Sequence, residues 1–177
     1  MEDNGAAARG RATTLESLVG SVVFLVIVPG TVAGAVPFWM TQWRVQPPLL
    51  GLPVSRVLGA VLVLLGLGSL VESVLRFALV GLGTPAPVAP PTRLVASGQY
   101  RLVRNPMYVA VVAIVLGQAL LLGSVGLLRY AVVLWVFFEA FVLLYEEPSL
   151  RARFGASYET YCRNVRRWWP RPRPWTG

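Results

Sequence analysis

The chain has 177 residues, 55% of them hydrophobic and only 14% charged, whereas a soluble domain averages about 25% charged. It therefore calls for an apolar solvent. All 16 basic residues are Arg and there is no His, which removes haem ligation, most zinc sites and the usual neutral-pH general base. The single cysteine, Cys162, excludes an internal disulfide, and no metal site is expected. The net charge of +8 resides in Arg residues flanking apolar runs, a pattern that points to anionic lipid and away from nucleic acid.

Taken in order, residues 1–14 are small and polar and read as a disordered tail. Residues 15–177 read as one all-α membrane domain with about four transmembrane helices. Its parts are an N-terminal helix pair with connector (15–91), a second half (92–170) and a short tail (171–177). Leu18 to Phe38 is the first apolar segment, with a kink expected at Pro29–Gly30. A secretory signal peptide is the competing reading, but the run is long for one. Trp39 to Pro53 reads as a loop with Trp39 and Trp43 as interfacial anchors. The second segment, Val57 to Val80, carries Glu72 and Arg76 four apart, which predicts an ion pair. Its Gly66 and Gly68 offer close helix contact, and the Gly/Pro-rich stretch from Gly81 to Pro91 is a connector.

Asn105 and Pro106 form an N-cap and first helical residue. The helix from Pro106 to about Gly123 is ~27 Å long at ~1.5 Å per residue. The short break Gly123-Ser124-Val125-Gly126 makes the next helix, Leu127 to Tyr145, run back antiparallel. Beyond Pro148 the apolar residues Leu150, Phe154, Tyr158, Tyr161, Val165 and Trp168 recur at spacings of three and four between arginines. That fits short interfacial amphipathic helices, divided at Gly155. With four spans, twelve arginines fall on the side of both termini and three on the other. The positive-inside rule then puts both termini in the cytoplasm.

The hairpin brings Arg101, Arg104, Asn105 and Tyr108, at the start of one helix, near Glu146 and Glu147 at the end of the next. A helix N-terminus beside two arginines suits an anionic group, and twin carboxylates suit a cationic one. Two Glu at a helix C-terminus oppose the dipole there, which argues for a functional role. Glu139 lies seven residues before Glu146, on the same helical face within an apolar span, and needs a partner such as Arg76 or a proton.

From Thr92 to about Pro170 the sequence resembles the isoprenylcysteine carboxyl methyltransferase family and the related phospholipid methyltransferases. The blocks that carry the resemblance are T-R-L-V at Thr92 to Val95, G-x-Y-R-x-V-R-N-P-M-Y at Gly98 to Tyr108, E-E-x-x-L at Glu146 to Leu150, and F-G-x-x-Y-x-x-Y at Phe154 to Tyr161. The resemblance implies a membrane-embedded S-adenosylmethionine site contacted by Thr92, Arg93, Leu94, Val95, Tyr100, Asn105, Pro106, Met107, Tyr108 and Glu146. Glu146, Glu147 and Arg104 are the catalytic candidates. A lipid-like or isoprenoid acceptor in a bacterial cytoplasmic membrane follows from the same likeness. Eukaryotic members have His where this chain has Asn105, and Val142 stands where they carry an Arg for the prenylcysteine carboxylate. Two other readings share parts of the pattern: an NADPH-dependent reductase of isoprenoid lipids, through the N-P-x-Y region, and a non-catalytic membrane scaffold with an Arg-rich tail.

Overall fold

The computed structural model describes residues 26–76 and 94–176, together with residues 20, 23 and 79. The expected tail 1–14, the connector at 81–91, and Thr92 and Arg93 lie outside the described residues. Within them the chain is helical: α1 (Val26–Thr41), α2 (Val54–Arg76), α3 (Pro106–Leu122), α4 (Val125–Phe141) and α5 (Glu147–Asn164). Short 3-10 turns occupy Leu49–Gly51 and Gly98–Arg101. Two helical stretches, Val54–Arg76 and Val125–Asn164, are long and apolar enough to cross a membrane, and α1 and α3 are shorter apolar helices. Val57, Leu64 and Leu65 on α2, and Val132, Val136 and Phe137 on α4, are exposed. Apolar side chains turned outward in such number suit lipid as their solvent.

α2 and α3 pack antiparallel along a seam of small residues. A Cβ on Gly59 would lie 2.6 Å from the Gly117 carbonyl, one on Gly117 would lie 2.7 Å from the Gly59 carbonyl, and one on Gly66 would lie 2.9 Å from the Ala110 carbonyl. Backbones this close leave no room for side chains, and such approach drives helix association where apolar burial gives no advantage over lipid. Gly66 meets its expectation. Gly68 faces open space, and the partners that matter are Gly59, about two turns before Gly66 on α2, and Gly117 across from it on α3. Gly117→Leu is expected to destabilise the protein in mixed micelles by about 3 kcal/mol, the upper end for overpacking. Unchanged resistance to SDS-induced unfolding would mean that the two helices do not meet there.

Proline places the irregular turns of the bundle. In α1 the break falls at Pro37, and Pro29 and Gly30 remain helical, contrary to the sequence expectation. Pro37 has no N–H for the carbonyls four and five residues before it, and the helix widens into a π turn over Thr31–Ala35. The freed Ala33 carbonyl accepts from Gln118 Nε2 at 2.7 Å and the Val32 carbonyl from the Tyr130 hydroxyl at 3.0 Å. α1 is thus fastened to α3 and α4 by the very groups its proline releases. It also runs to Thr41, so the loop begins at Gln42 rather than Trp39.

The hairpin α3–α4 forms as the sequence implies. Gly123 closes α3 with φ 71°, and the Ser124 hydroxyl accepts from the Leu127 N–H to cap α4. Val115, Ala119 and Leu127 are fully buried between the helices. Asn105 occupies the cap position of α3 but makes no side-chain cap bond. Its amide instead donates to the Arg167 carbonyl at 3.3 Å.

α4 does not end at Tyr145. It passes through a π turn, Val142–Glu146, into α5, and the Glu147 N–H reaches back five residues to the Val142 carbonyl. Pro148 lacks the N–H that regular helix would need, and the wide turn absorbs that loss. Glu146 and Glu147 therefore sit inside a continuous helical path, and the dipole argument drawn from a helix end does not apply to them. The backbone breaks at Gly155, with φ 49° and ψ −126°, as expected. The apolar stripe beyond it meets protein rather than lipid. Tyr158, Tyr161 and Val165 are buried in a cluster with Leu94, Ala96, Leu150 and Phe154 packed against it.

Candidate functional site

The 3-10 turn Gly98–Arg101 is pinned to α2. Gln99 donates to the Ser69 carbonyl at 2.6 Å and to the Ser73 hydroxyl at 2.7 Å, and it accepts from the Ser69 hydroxyl at 2.6 Å. Gly98, with φ 57°, rests on the Glu72–Arg76 ion pair, where a Cβ would lie 2.5 Å from both side chains. Tyr100 is thereby buried, and burial pushes its hydroxyl pKa up, with the nearby Glu146 charge adding to the effect. The hydroxyl stays protonated at any physiological pH.

Residues 101–105 are crossed by the chain's carboxyl end, which runs over them as a strap. The Arg104 N–H donates to the Arg166 carbonyl at 2.9 Å, the Arg171 N–H to the Leu102 carbonyl at 3.0 Å, and the Trp175 N–H to the Arg101 carbonyl at 3.0 Å. The Arg101 side chain donates to the Trp175 carbonyl and does not reach the glutamates. Tyr161 reaches from α5 to donate to the Tyr100 carbonyl at 2.6 Å. A stretch that reads as a free tail is therefore part of the wall.

At the centre the two polar patches meet. The Tyr108 hydroxyl donates to Glu146 Oε2 at 2.7 Å. Arg104 lies 3.1 Å from Glu147, and Arg167 donates to the same carboxylate at 2.7 Å. The Glu147 side chain is only 4% exposed, and Arg151 adds a longer contact of 3.5 Å. Hydrogen bonding to Glu147 holds the Arg167 guanidinium above its ordinary pKa.

Glu139 is satisfied by Arg167, at 3.2 Å, and by the Trp168 indole N–H. Arg76 pairs with Glu72 instead. The expectation that Glu139 and Glu146 share a face fails because the π turn inserts one residue and advances the helix by about 100°. Glu147 takes the place in line with Glu139, and one guanidinium, that of Arg167, spans the two. Glu146 is rotated toward Tyr108. Among the described acidic residues it is the one without a cationic partner.

Aromatic rings surround the tyrosine that holds that carboxylate. Tyr108 lies 4.7 Å from Phe138 and 6.5 Å from both Phe141 and Trp168, measured between ring centroids. Trp168 packs against Trp135, centroids 4.7 Å apart and planes tilted by 49°. Beyond this ring pair an apolar groove of about 480 Å³ runs between α3 and α4, lined by residues including Val109, Val112, Leu116, Val132, Trp135 and Trp169. Trp168 belongs to both, so one indole links the Tyr108 cluster to the groove.

Of the residues expected at a cofactor, Tyr100, Asn105, Pro106 and Tyr108 cluster at this end of the bundle. Met107 packs into the helix core, and Leu94 lies against the α5 cluster, with Val95 buried beside it in sequence. Val142 is buried at 1% exposure and offers no cation. Sequence reasoning placed Tyr161 and Trp168 in the amphipathic stripe but gave neither them nor Arg167 a part in the site. For Arg167 and Trp168 the signal is position alone, where the amphipathic pattern ends before Pro170; Tyr161 closes the F-G-x-x-Y-x-x-Y block.

These features define an all-helical membrane protein with an aromatic and carboxylate site at one end of its bundle. The sequence model of the phospholipid methyltransferase family matches residues 54–157, more than half of the chain, and the chain belongs to that family. It is 42% identical over 73 residues to a protein-S-isoprenylcysteine O-methyltransferase of Schizosaccharomyces pombe, covering 41% of this chain and 30% of the relative. It is 36% identical over 74 residues to a probable protein-S-isoprenylcysteine O-methyltransferase of Oryza sativa subsp. indica, covering 38% of that protein. The matched segment thus spans about a third of these relatives' length. No solved structure matches the chain.

Proposed function

We propose that the chain is an S-adenosylmethionine-dependent methyltransferase acting on a lipid-like acceptor, carboxylate or amine, at the cytoplasmic face of a bacterial membrane. The observation that carries this reading is Glu146, a carboxylate without a countercharge, held by Tyr108, whose own ring packs among Phe138, Phe141 and Trp168. Such a site suits a ligand bearing positive charge, because a cation gains both from the carboxylate and from ring faces. Tyr108, Glu146, Tyr100 and the Asn105–Pro106 turn would hold the cofactor, with Thr92, Arg93, Leu94, Val95 and Met107 completing its surroundings. When bound, S-adenosylmethionine supplies a methyl group made electrophilic by its sulfonium sulfur.

The residues of the chain then have separate tasks. Tyr108 and Glu146 orient the cofactor side, and Trp168 keeps water from the reacting pair. Arg104 and Glu147 position the strap that carries Trp168. The apolar groove takes the hydrocarbon part of the acceptor. A carboxylate acceptor needs no general base, so the absence of His is no obstacle; an amine acceptor has its proton taken by Glu146, since Glu139 and Glu147 are held by arginines. The twelve arginines on one side of a four-span topology support the cytoplasmic placement.

Incubation of membranes containing the protein with a labelled methyl donor tests this directly. Label is expected in the lipid extract, and only when the wild-type chain is present. Unlabelled lipid together with saturable binding of NADP(H) would replace the proposal with a reductase, and neither signal would leave a scaffold.

A further inference from the structure

A second, polar concavity of about 350 Å³ lies at the carboxyl end of α5 and shares no lining residue with the apolar groove. Arg104, Arg163, Arg166 and Arg171 line it with Cys162 and Asn164, and no carboxylate does. Arg104 donates to Cys162 Sγ at 2.6 Å, while its Nε is buried with no hydrogen-bond partner. Arg171 donates to the Asn164 carbonyl at 2.7 Å, and Arg163 makes only a long contact, 3.5 Å, with Thr160. Among the described residues no carboxylate pairs with Arg163, Arg166 or Arg171.

Cations near a helix C-terminus are partly accounted for by its dipole, and Arg163 and Arg171 answer to that description. Arg166 does not. It lies past the helix end, its side chain is exposed, and its backbone is fixed in place because its carbonyl accepts from Arg104. Several guanidinium groups around one concavity repel each other unless an anion joins them. Their planar forks match phosphate oxygens in geometry as well as charge. Trp169, three residues from Arg166, is 72% exposed, as befits an indole at a membrane–water boundary.

We propose that this pocket binds a phosphate group, supplied by the head group of an anionic phospholipid at the membrane interface. The site shares Arg104 with the Glu147 cluster and anchors the strap from its outer side. The same chemistry would accept free phosphate, and the test distinguishes the two sources. The full chain is purified in neutral detergent and exposed to mixed micelles of phosphatidylcholine and phosphatidylglycerol. Retained lipid is read by native mass spectrometry, and inorganic phosphate is titrated separately by calorimetry.

Wild type is expected to retain phosphatidylglycerol preferentially. The double variant Arg163→Gln/Arg166→Gln should lose about fivefold in that preference per arginine removed, the factor one basic side chain near an anionic surface is worth. Arg153→Gln/Arg173→Gln removes the same charge from exposed positions outside the pocket and should change the preference little. Arg166→Gln alone serves if the first double variant fails to fold. Equal losses in the two double variants would overturn the pocket in favour of diffuse attraction. Binding of inorganic phosphate without any preference for phosphatidylglycerol would overturn the lipid assignment.

Discussion

Glu146→Ala is expected to lower the affinity for S-adenosylhomocysteine by about tenfold to a hundredfold, the range for a hydrogen bond to a charged group lost from a buried site. The effect is large because nothing nearby substitutes for this carboxylate. Arg167 and Arg104 have committed Glu147, and Arg167 with Trp168 has committed Glu139. Only Glu146 remains for a cationic ligand, and its loss also strands the Tyr108 hydroxyl. Calorimetry on detergent-solubilised protein measures the change. Thermal unfolding checks that it is not a folding defect, since no ion pair is broken.

Glu147→Ala should do the opposite, leaving the pocket's ligand groups in place while destabilising the protein by about 3–5 kcal/mol. The carboxylate is the common partner of Arg104, Arg167 and Arg151. Removing it leaves guanidinium groups facing one another, and the Arg104 side chain is only 11% exposed, so water cannot fully take over. Once that clamp is gone, the strap is held to residues 101–105 by backbone bonds and by the Arg101 and Asn105 side chains, with no ion pair among them. Limited proteolysis should therefore cut the variant at residues 165–176 much faster than wild type. A cleavage pattern and unfolding midpoint equal to wild type would show that the cluster does not fasten the strap.

How much of this was legible in the sequence depends on the kind of signal. The α3–α4 hairpin was, because Asn105-Pro106 starts one helix, Gly123-Ser124 separates the two, and the apolar runs between them are unbroken. That Tyr108 and Glu146 lie at the same end of the bundle follows from that hairpin, but their hydrogen bond depends on the π turn that rotates Glu146 toward Tyr108. The π turns were not legible. An inserted residue changes helical phase without changing composition, so the face shared by Glu139 was assigned to Glu146 when it belongs to Glu147. The close seam of α2 and α3 escaped for a different reason: Gly59 and Gly117 acquire meaning only as a pair, and the antiparallel register that pairs them is a tertiary fact.

The strap was hidden most completely. Its attachment runs through backbone N–H and carbonyl groups, which every residue carries, so Arg166, Arg171 and Trp175 leave no pattern to read. Arg167 illustrates the consequence. Among sixteen arginines it is indistinguishable by type, yet it bridges Glu139 to Glu147 and so decides which glutamate stays unpaired. The stripe of Tyr158, Tyr161 and Val165 was read correctly as amphipathic, but periodicity does not say whether lipid or protein covers the apolar side.

The claim on which the account turns is that Tyr108 and Glu146 act as one ligand-binding unit. A double-mutant cycle with Tyr108→Phe and Glu146→Gln, read as S-adenosylhomocysteine affinity by calorimetry, measures it. The account predicts that each single variant binds more weakly and that the two effects overlap, with a coupling of about 1 kcal/mol, as for residues in direct contact. Wild-type affinity in both single variants, or strictly additive losses, would contradict it.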